Sequence, residues 1–318
     1  MTSSCQVFEQ LEDVRLDPAP PVVLTVGVFD GLHRAHQALV RHAAAEARAR
    51  GGRVAVLTFQ NHPRSVLQPE SPPLILTPWE RKRELILAEG VDILAGLRFT
   101  PELAATAAGD FVREVILGRF HACAVLSGPG FHFGHNREGG QELLRRMGRE
   151  LGFDYIEHEA VRYRDERVSS TRIRAALAEG DVVLAEALLT RPHRVTGVVV
   201  PGDRIGRTIG FPTANLRPTP GILLPRDGVY ACRVQVPGER GWYLGMMNMG
   251  WRPTVGGRDH RVEVHLLGFQ GDLEGQTLAV DFTRRLRDEQ RFSGIDELRR
   301  QLARDRERVL ALAGETFT

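Results

Sequence analysis

Lysine is almost missing from this sequence: of 42 lysines and arginines in 318 residues, Lys82 is the single lysine. A Walker-type P-loop needs a glycine turn followed by Lys and Ser or Thr. Lys82 lies in ERKREL, with no glycine before it, so any triphosphate here must be cradled by other means. Codon bias is the simplest source of the arginine excess. Cysteine is scarce as well. Cys5, Cys123 and Cys232 are odd in number, far apart and without metal-ligand spacing. That argues against a disulfide framework or a zinc cluster and fits a reducing cytoplasm. Neither sign of charge dominates, the net value being +2, so nucleic-acid and membrane partners are not expected, although a local patch stays open. No apolar run reaches the roughly 18–20 residues that span a bilayer. The opening MTSSCQVFEQLEDVRL lacks the basic-then-apolar order of a signal peptide.

What is present is ordinary globular material, 42% hydrophobic and 26% charged. At roughly 100–200 residues per domain, the length predicts two domains. In the first part, strand-like runs at Val22–Val28, Val54–Phe59, Ile93–Leu97, Ala122–Leu126 and Phe153–His158 alternate with helix candidates. The helices are expected over Ala35–Arg50, Thr77–Glu89, Gly109–Leu117, Gln141–Leu151 and Thr171–Glu179. This alternation predicts an α/β doubly wound parallel sheet, with ligands at the carboxyl ends of its strands. After about Leu189 short strands take over, at Arg194–Val200, Gly228–Val236, Trp242–Met249, Arg261–Leu267 and Thr277–Arg284, with Gly and Pro dense between them. They suggest a small β-barrel. A closing amphipathic helix is expected over Gly294–Ala313, with Ile295, Leu298, Leu302, Val309 and Leu312 on one face. The boundary is placed at 188/189, in LLTRPHRV, where Pro192 ends a helix.

The run VVLTVGVFDGLHRAHQALV passes from strand through turn to helix. Gly27 and Gly31 permit tight backbone. His33 and His36 share one face at a helix start, where free N–H groups and the helix dipole favour phosphate. Turn and cap duty alone is an equal alternative for two histidines, and Asp30 could be a plain loop carboxylate.

The segment GVFDGLHRAH resembles the GxFDGxHxGH signature of the nucleotidylyltransferase domain of bacterial bifunctional riboflavin kinase/FAD synthetases, an HxGH-type, Rossmann-like fold. Five further blocks follow in family order: TFQNHPRSVL, LTPWERKRELILAEGVD, FTPELAATAAGDFV, SGPGFHFG and VSSTRIRAAL. The resemblance implies that His33 and His36 hold the ATP phosphates and stabilise the pentavalent α-phosphate. It places Gly27, Phe29, Asp30 and Gly31, with Ser169, Ser170, Thr171 and Arg172, at the nucleotide, and His62 and Phe131 at the flavin. Ala35 stands where the family has glycine, Gly130 and His132 replace an acid or amide and an arginine, and Gln60–Asn61 replace an acidic–Pro pair. A kinase-only reading, with an impaired adenylyltransferase, is the alternative these changes leave.

In the second part, Gly202, Gly206 and Gly210 form a loop able to wrap phosphates with backbone N–H groups. Thr213 and Asn215 offer hard oxygen ligands for Mg²⁺. GFPTAN resembles the riboflavin kinase signature, and DGVYACRV, MNMGWRPTV, VEVHLLGF and LRDEQRFSGIDEL follow in family order. The resemblance implies an antiparallel β-barrel with a C-terminal helix. It makes Glu263 the base for the terminal ribityl hydroxyl and, more loosely, puts Arg287 and Glu289 near the flavin ring. Riboflavin, FMN, FAD and ATP are the implied substrates and products, with Mg²⁺ in both steps. Oligomeric state is left open. A flavin-sensing nucleic-acid binder is the competing class, disfavoured by the near-neutral charge.

Overall fold

The structure, a computed structural model, describes residues 5–202, 205–254 and 257–316. Asp203 and Arg204 of the glycine loop, and Val255 of MNMGWRPTV, lie outside the described residues. The chain divides into two compact units, Met1–Ser170 and Thr171–Thr318.

The first unit is built on β1 (Gln6–Phe8), β2 (Val22–Val26), β3 (Arg53–Phe59), β4 (Ile93–Leu97), β5 (Ala122–Ser127) and β6 (Asp154–Glu157). They form one sheet in the order β1-β4-β3-β2-β5-β6, every pair parallel. The strands are apolar on both sides because both faces are covered. Val22, Leu24 and Val26 pack with Phe111, Val115, Leu144 and Met147 on one face. Val23, Val54 and Val56 pack on the other with Leu39, Val40 and Ala43 of α1 (Arg34–Ala49) and Ile86 of α2 (Trp79–Ala88). Strand order reverses between β2 and β5, so the ligand crevice of a doubly wound sheet falls at their carboxyl ends.

Two local expectations differ. The helix expected over Gly109–Leu117 is a short α-turn that widens into π-helix over Phe111–Leu117, with Gly118 N–H bonded back to Arg113 C=O at 2.9 Å. The wider turn keeps Phe111, Val112, Val115 and Ile116 all on the core. Strand β1, three residues at the sheet edge against Ile93–Ala95, is too short to carry a readable period.

In the second unit, α4 (Val182–Leu189) leads into a closed barrel. Its strands are β7 (His193–Val200), β8 (Ala214–Pro218), β9 (Gly228–Gln235), β10 (Tyr243–Thr254), β11 (Gly257–Leu266) and β12 (Thr277–Arg287), ordered β7-β8-β11-β10-β9-β12. The sixth strand, β8, was not expected; GFPTANLRP reads as loop, yet its second half pairs with β7 and β11. The helix preceding α4, α3 (Ser170–Ala178), is tied to the barrel unit where Arg226 N–H donates to Leu177 C=O at 2.8 Å. The closing helix α5 (Ile295–Thr316) packs Leu298, Leu302, Val309 and Leu312 onto the outer barrel wall at Val229, Ala231, Met246 and Leu286. Ile295, expected on that face, is 60% exposed; it is the first residue of the helix and is not part of the packed cluster.

One ion pair fastens this helix. Arg287, ending β12, donates from Nε at 3.0 Å and from Nη2 at 2.8 Å to Asp305 Oδ2, and Asp305 is 0% exposed. Asp305→Ala leaves the guanidinium unpaired at a cost of about 3–5 kcal/mol. The expected result is a clearly lower urea midpoint; an unchanged midpoint would contradict this role.

Candidate active sites

At the carboxyl end of β2 the chain turns sharply. Phe29 has φ 51° and Gly31 φ 88°, the left-handed region that a non-glycine residue adopts only under strain. Burial of the Phe29 ring, 1% exposed, offsets that strain. The turn delivers His33 as the N-cap of α1, its Nδ1 accepting the His36 N–H at 3.3 Å. The two imidazoles stack with centroids 3.5 Å apart and planes 14° apart. The Phe29 ring meets His36 edge-on at 5.0 Å. Cap duty and site duty, which the sequence leaves as alternatives, are thus compatible in His33: one ring nitrogen caps while the ring faces its partner.

Asp30 is 4% exposed and its carboxylate accepts the N–H groups of Leu76, at 3.0 Å, and Thr77, at 3.1 Å. It anchors the turn. Ser170 Oγ donates to the Asp30 carbonyl at 2.9 Å, so the start of SSTR is tied to the same turn, with Ser169 one residue before. Thr171 and Arg172 fall in the second unit. Gly27, Phe29, Asp30, Gly31, His33, His36 and Ser170 are therefore brought together.

His62 and Phe131 stand just past the ends of β3 and β5. His62 Nδ1 accepts Arg64 N–H at 3.1 Å, and Phe131 stacks on Phe133 at 5.5 Å. The residues that depart from the family pattern have local uses. Asn61 accepts from Phe99 N–H at 2.8 Å and donates to Phe99 C=O at 3.0 Å, a two-way bond that a proline side chain cannot make. Gly130 has φ 71°, and its carbonyl takes the His132 Nδ1 hydrogen at 2.9 Å.

The second site lies on the barrel's outer face. Asn215, Glu263, Asn248 and Val229 are direct neighbours across β8, β11, β10 and β9, and such neighbours share a face. One residue along, the row Ala214, Val264, Met247 and Tyr230 points inward and is buried. A cavity of about 590 Å³ opens over the outer row, lined by Thr213, Asn215, Asn248, Glu263, Arg287 and Glu289, among others. A second, of about 540 Å³, runs from Gly202, Thr213 and Asn215 to Phe269, Asp272 and Glu274. Thr213 and Asn215 line both. Gly206 is required by space, since an added Cβ would overlap the Phe211 carbonyl; at Gly202 it would displace the Asn215 amide. Gly210 is required by conformation, φ 84°.

Glu263 lies between two asparagine amides, with Arg261 Nη1 at 3.8 Å. Its strand-mate His265 also lines the cavity, as alternation predicts. Its Nδ1 sits 2.7 Å from Pro212 C=O, and since a carbonyl only accepts, that nitrogen carries the hydrogen. Burial holds the His265 imidazole below its usual pKa of 6.5. The unfolded chain therefore takes up this proton more readily than the folded one, and this residue's contribution to stability is lost as pH falls below 6.5. His265→Gln is expected to flatten the stability profile there; an identical slope would contradict it. Arg287 lines the first cavity, but its guanidinium is engaged with Asp305 and, through Nη1, with Asp288 C=O at 3.0 Å.

Sequence reasoning missed Asn248, Trp251 and Phe292 in the first cavity and the Phe269–Glu274 loop beside the second. Asn248 between two methionines of one strand was a legible signal; the loop had none. It also used Lys82 only to exclude a P-loop. Lys82 is 4% exposed. Its Nζ donates to Val28 C=O at 3.1 Å and, at closer range, to Phe59 C=O. Burial lowers its pKa to about 8, with Asp30 acting the other way. Its spacing from Trp79 and Ile86, three and four residues away, would have placed it on the buried face of α2.

Phosphoryl and nucleotidyl transfer can proceed without a protein nucleophile, and then ask of a protein only positioning, charge stabilisation and a base. Stacked imidazoles at a helix N-terminus in one unit and a carboxylate among oxygen donors in the other answer that need. The chain is of the nucleotide-dependent transferase class. Family models agree: FAD synthetase matches residues 17–172 and Riboflavin kinase residues 189–313. The bifunctional riboflavin kinase/FMN adenylyltransferase of Escherichia coli K12 is 40% identical over 91% of this chain and 91% of that protein. Its Bacillus subtilis counterpart is 34% identical over the same shares. A solved Streptococcus pneumoniae structure described as a macrolide-efflux protein is 33% identical, with TM-score 0.84 over 95% of this chain and 97% of that one. Among the described residues of this chain, no helix is long and apolar enough to cross a membrane. The chain belongs to the bifunctional riboflavin kinase/FMN adenylyltransferase family.

Proposed function

We propose that the chain makes FAD in two steps, with the functional division at 188/189: adenylyltransferase over 1–188, kinase over 189–318. In the barrel, riboflavin occupies the cavity over Glu263 and ATP the cavity reached from Gly202. The carboxylate of Glu263 accepts the proton of the terminal ribityl hydroxyl as its oxygen attacks the γ-phosphorus, and ADP leaves. The observation that carries this is the sharing of Thr213 and Asn215 by the two cavities, so that a donor in one meets an acceptor in the other beside Glu263. Backbone N–H groups around Gly202, Gly206 and Gly210 face the phosphates, and Glu289 lines the flavin's cavity. Arg287 acts there through Asp305, by holding α5.

Thr213 and Asn215 present a hydroxyl and an amide oxygen, hard donors that suit Mg²⁺ bound mainly through substrate phosphates and water. When bound, it would neutralise phosphate charge at that junction. The protein's own share is to hold those oxygens in place, with Gly202 packed against the Asn215 amide.

In the first unit, an FMN phosphate oxygen attacks the α-phosphorus of ATP and pyrophosphate leaves. His33 and His36 donate to the phosphate oxygens as charge builds, on the N-terminal dipole of α1. Gly27, Phe29, Asp30 and Gly31 shape that turn; His62 and Phe131, at neighbouring strand ends, suit the flavin. Ser169 and Ser170 join the nucleotide; Thr171 and Arg172 follow them within the residues matched by the FAD synthetase model. A reducing, cytoplasmic setting fits the free cysteines. Incubation with riboflavin and Mg-ATP, followed by chromatographic separation of the flavins, should show FMN first and FAD after it. FMN without FAD would favour the kinase-only alternative; neither product would refute the reading.

A further inference from the structure

The chain's only lysine is placed where an ammonium can do one particular job. Lys82 Nζ lies between the carbonyl of Val28, at 3.1 Å, and that of Phe59, the backbone that leaves the carboxyl ends of β2 and β3. Val28 immediately precedes Phe29, whose φ is 51° and whose ring rests on His36 at 5.0 Å; His36 in turn stacks on His33 at 3.5 Å. The bond from Lys82 is joined by others given to the same turn. Asp30, two residues beyond Val28, accepts the N–H groups of Leu76 and Thr77 at the approach to α2, the helix that carries Lys82. The segment that carries Lys82 thus holds the turn at two points, the Val28 carbonyl and the Asp30 carboxylate. Thr58 Oγ1, donating to the same Val28 carbonyl at 3.0 Å, completes its hydrogen bonding.

We infer that Lys82 is a positioning residue for adenylyl transfer: its buried ammonium fixes the Val28–Asp30 turn and thereby the register of the two stacked imidazoles against the nucleotide. It touches no substrate. The inference rests on the adenylyltransferase reading of this unit. A compact ammonium with rotatable donors can serve two carbonyls from one atom, whereas the planar fork of a guanidinium spreads its donors apart and is bulkier. In a chain otherwise supplied with cations by arginine, this pocket takes the one cation that fits. The low exposure and the lowered pKa of about 8 agree with an ammonium held away from water.

The test compares Lys82→Met and Lys82→Arg with the unaltered chain, assaying both reactions on each preparation. The expected result is a fall of about tenfold or more in kcat for FMN adenylylation in both variants, as for lost transition-state alignment. KM for Mg-ATP and FMN should stay within about threefold, and riboflavin phosphorylation within about twofold. Lys82→Arg keeps a cation in the pocket, so it supplies the measurement should Lys82→Met not fold. Adenylylation at the unaltered rate in either variant would overturn the inference. So would a loss confined to KM, or one that follows kinase activity down in step, which marks general unfolding rather than positioning. Absence of FAD formation by the unaltered chain would instead refute the functional reading beneath it.

Discussion

Glu263→Gln should reduce riboflavin phosphorylation about a hundredfold or more, the usual range for removing a general base. FMN adenylylation by the same preparation should stay within about twofold, because the residues involved lie in separate units. The amide keeps the shape of the side chain beside its cross-strand neighbours Asn215 and Asn248, so the barrel should stay folded. What it cannot do is accept the ribityl proton. The alternative, a carboxylate merely facing water from a strand, predicts near-normal turnover. A second control lies in the same row: Asn248→Ala removes a neighbour of Glu263 without removing the base, and should cost less.

His33→Asn is expected to lower adenylylation about 100- to 1,000-fold, comparable to the loss of one preorganised donor to a developing oxyanion, with kinase activity retained. The choice of asparagine separates two duties. His33 caps α1 by accepting the His36 N–H, and Asn is itself a good N-cap. The helix start therefore survives while the imidazole is lost. His33→Ala removes both and should in addition lose about 1 kcal/mol of stability. Equal stability losses in the two variants would contradict the capping duty, and adenylylation preserved in His33→Asn would mean that capping is all this residue does.

Much of this architecture is legible in the sequence because its signals are periodic. Ile93–Leu97 and Gln141–Leu151 occur with the expected bounds, since an uninterrupted apolar run and an amphipathic stretch that ends at Gly152, in left-handed conformation, each carry their own limits. Glu263 and His265 share a face for the simple reason that strands alternate. Three things escaped. Strand β8 hides inside the stretch that resembles the riboflavin kinase signature, where Gly and Pro suggest loop and only pairing with β7 and β11 makes a strand. The π-turn at Phe111–Leu117 arises from a packing demand that no local pattern expresses. The significance of Lys82 depends on two carbonyls more than twenty residues away in the chain, which only the fold brings together. The same holds for Arg287: a place near the flavin is what the resemblance implies, but its engagement with a buried aspartate eighteen residues on is a property of how α5 lies on the barrel.

The departures at Ala35, Gly130, His132 and Gln60–Asn61 do not dismantle the first site. The turn, the cap and the stacked imidazoles are all formed, and Asn61 makes a bond suited to an amide.

Mixing two disabled variants tests the central claim, that two independent sites act in sequence through FMN. Glu263→Gln and His36→Ala are each incubated alone, and then together, with riboflavin and Mg-ATP. Alone, the first should leave riboflavin almost unconverted and the second should stop at FMN; together they should produce FAD after a lag during which FMN accumulates. FAD made from riboflavin by either variant alone at the unaltered rate, or no FAD from the mixture, would contradict the account.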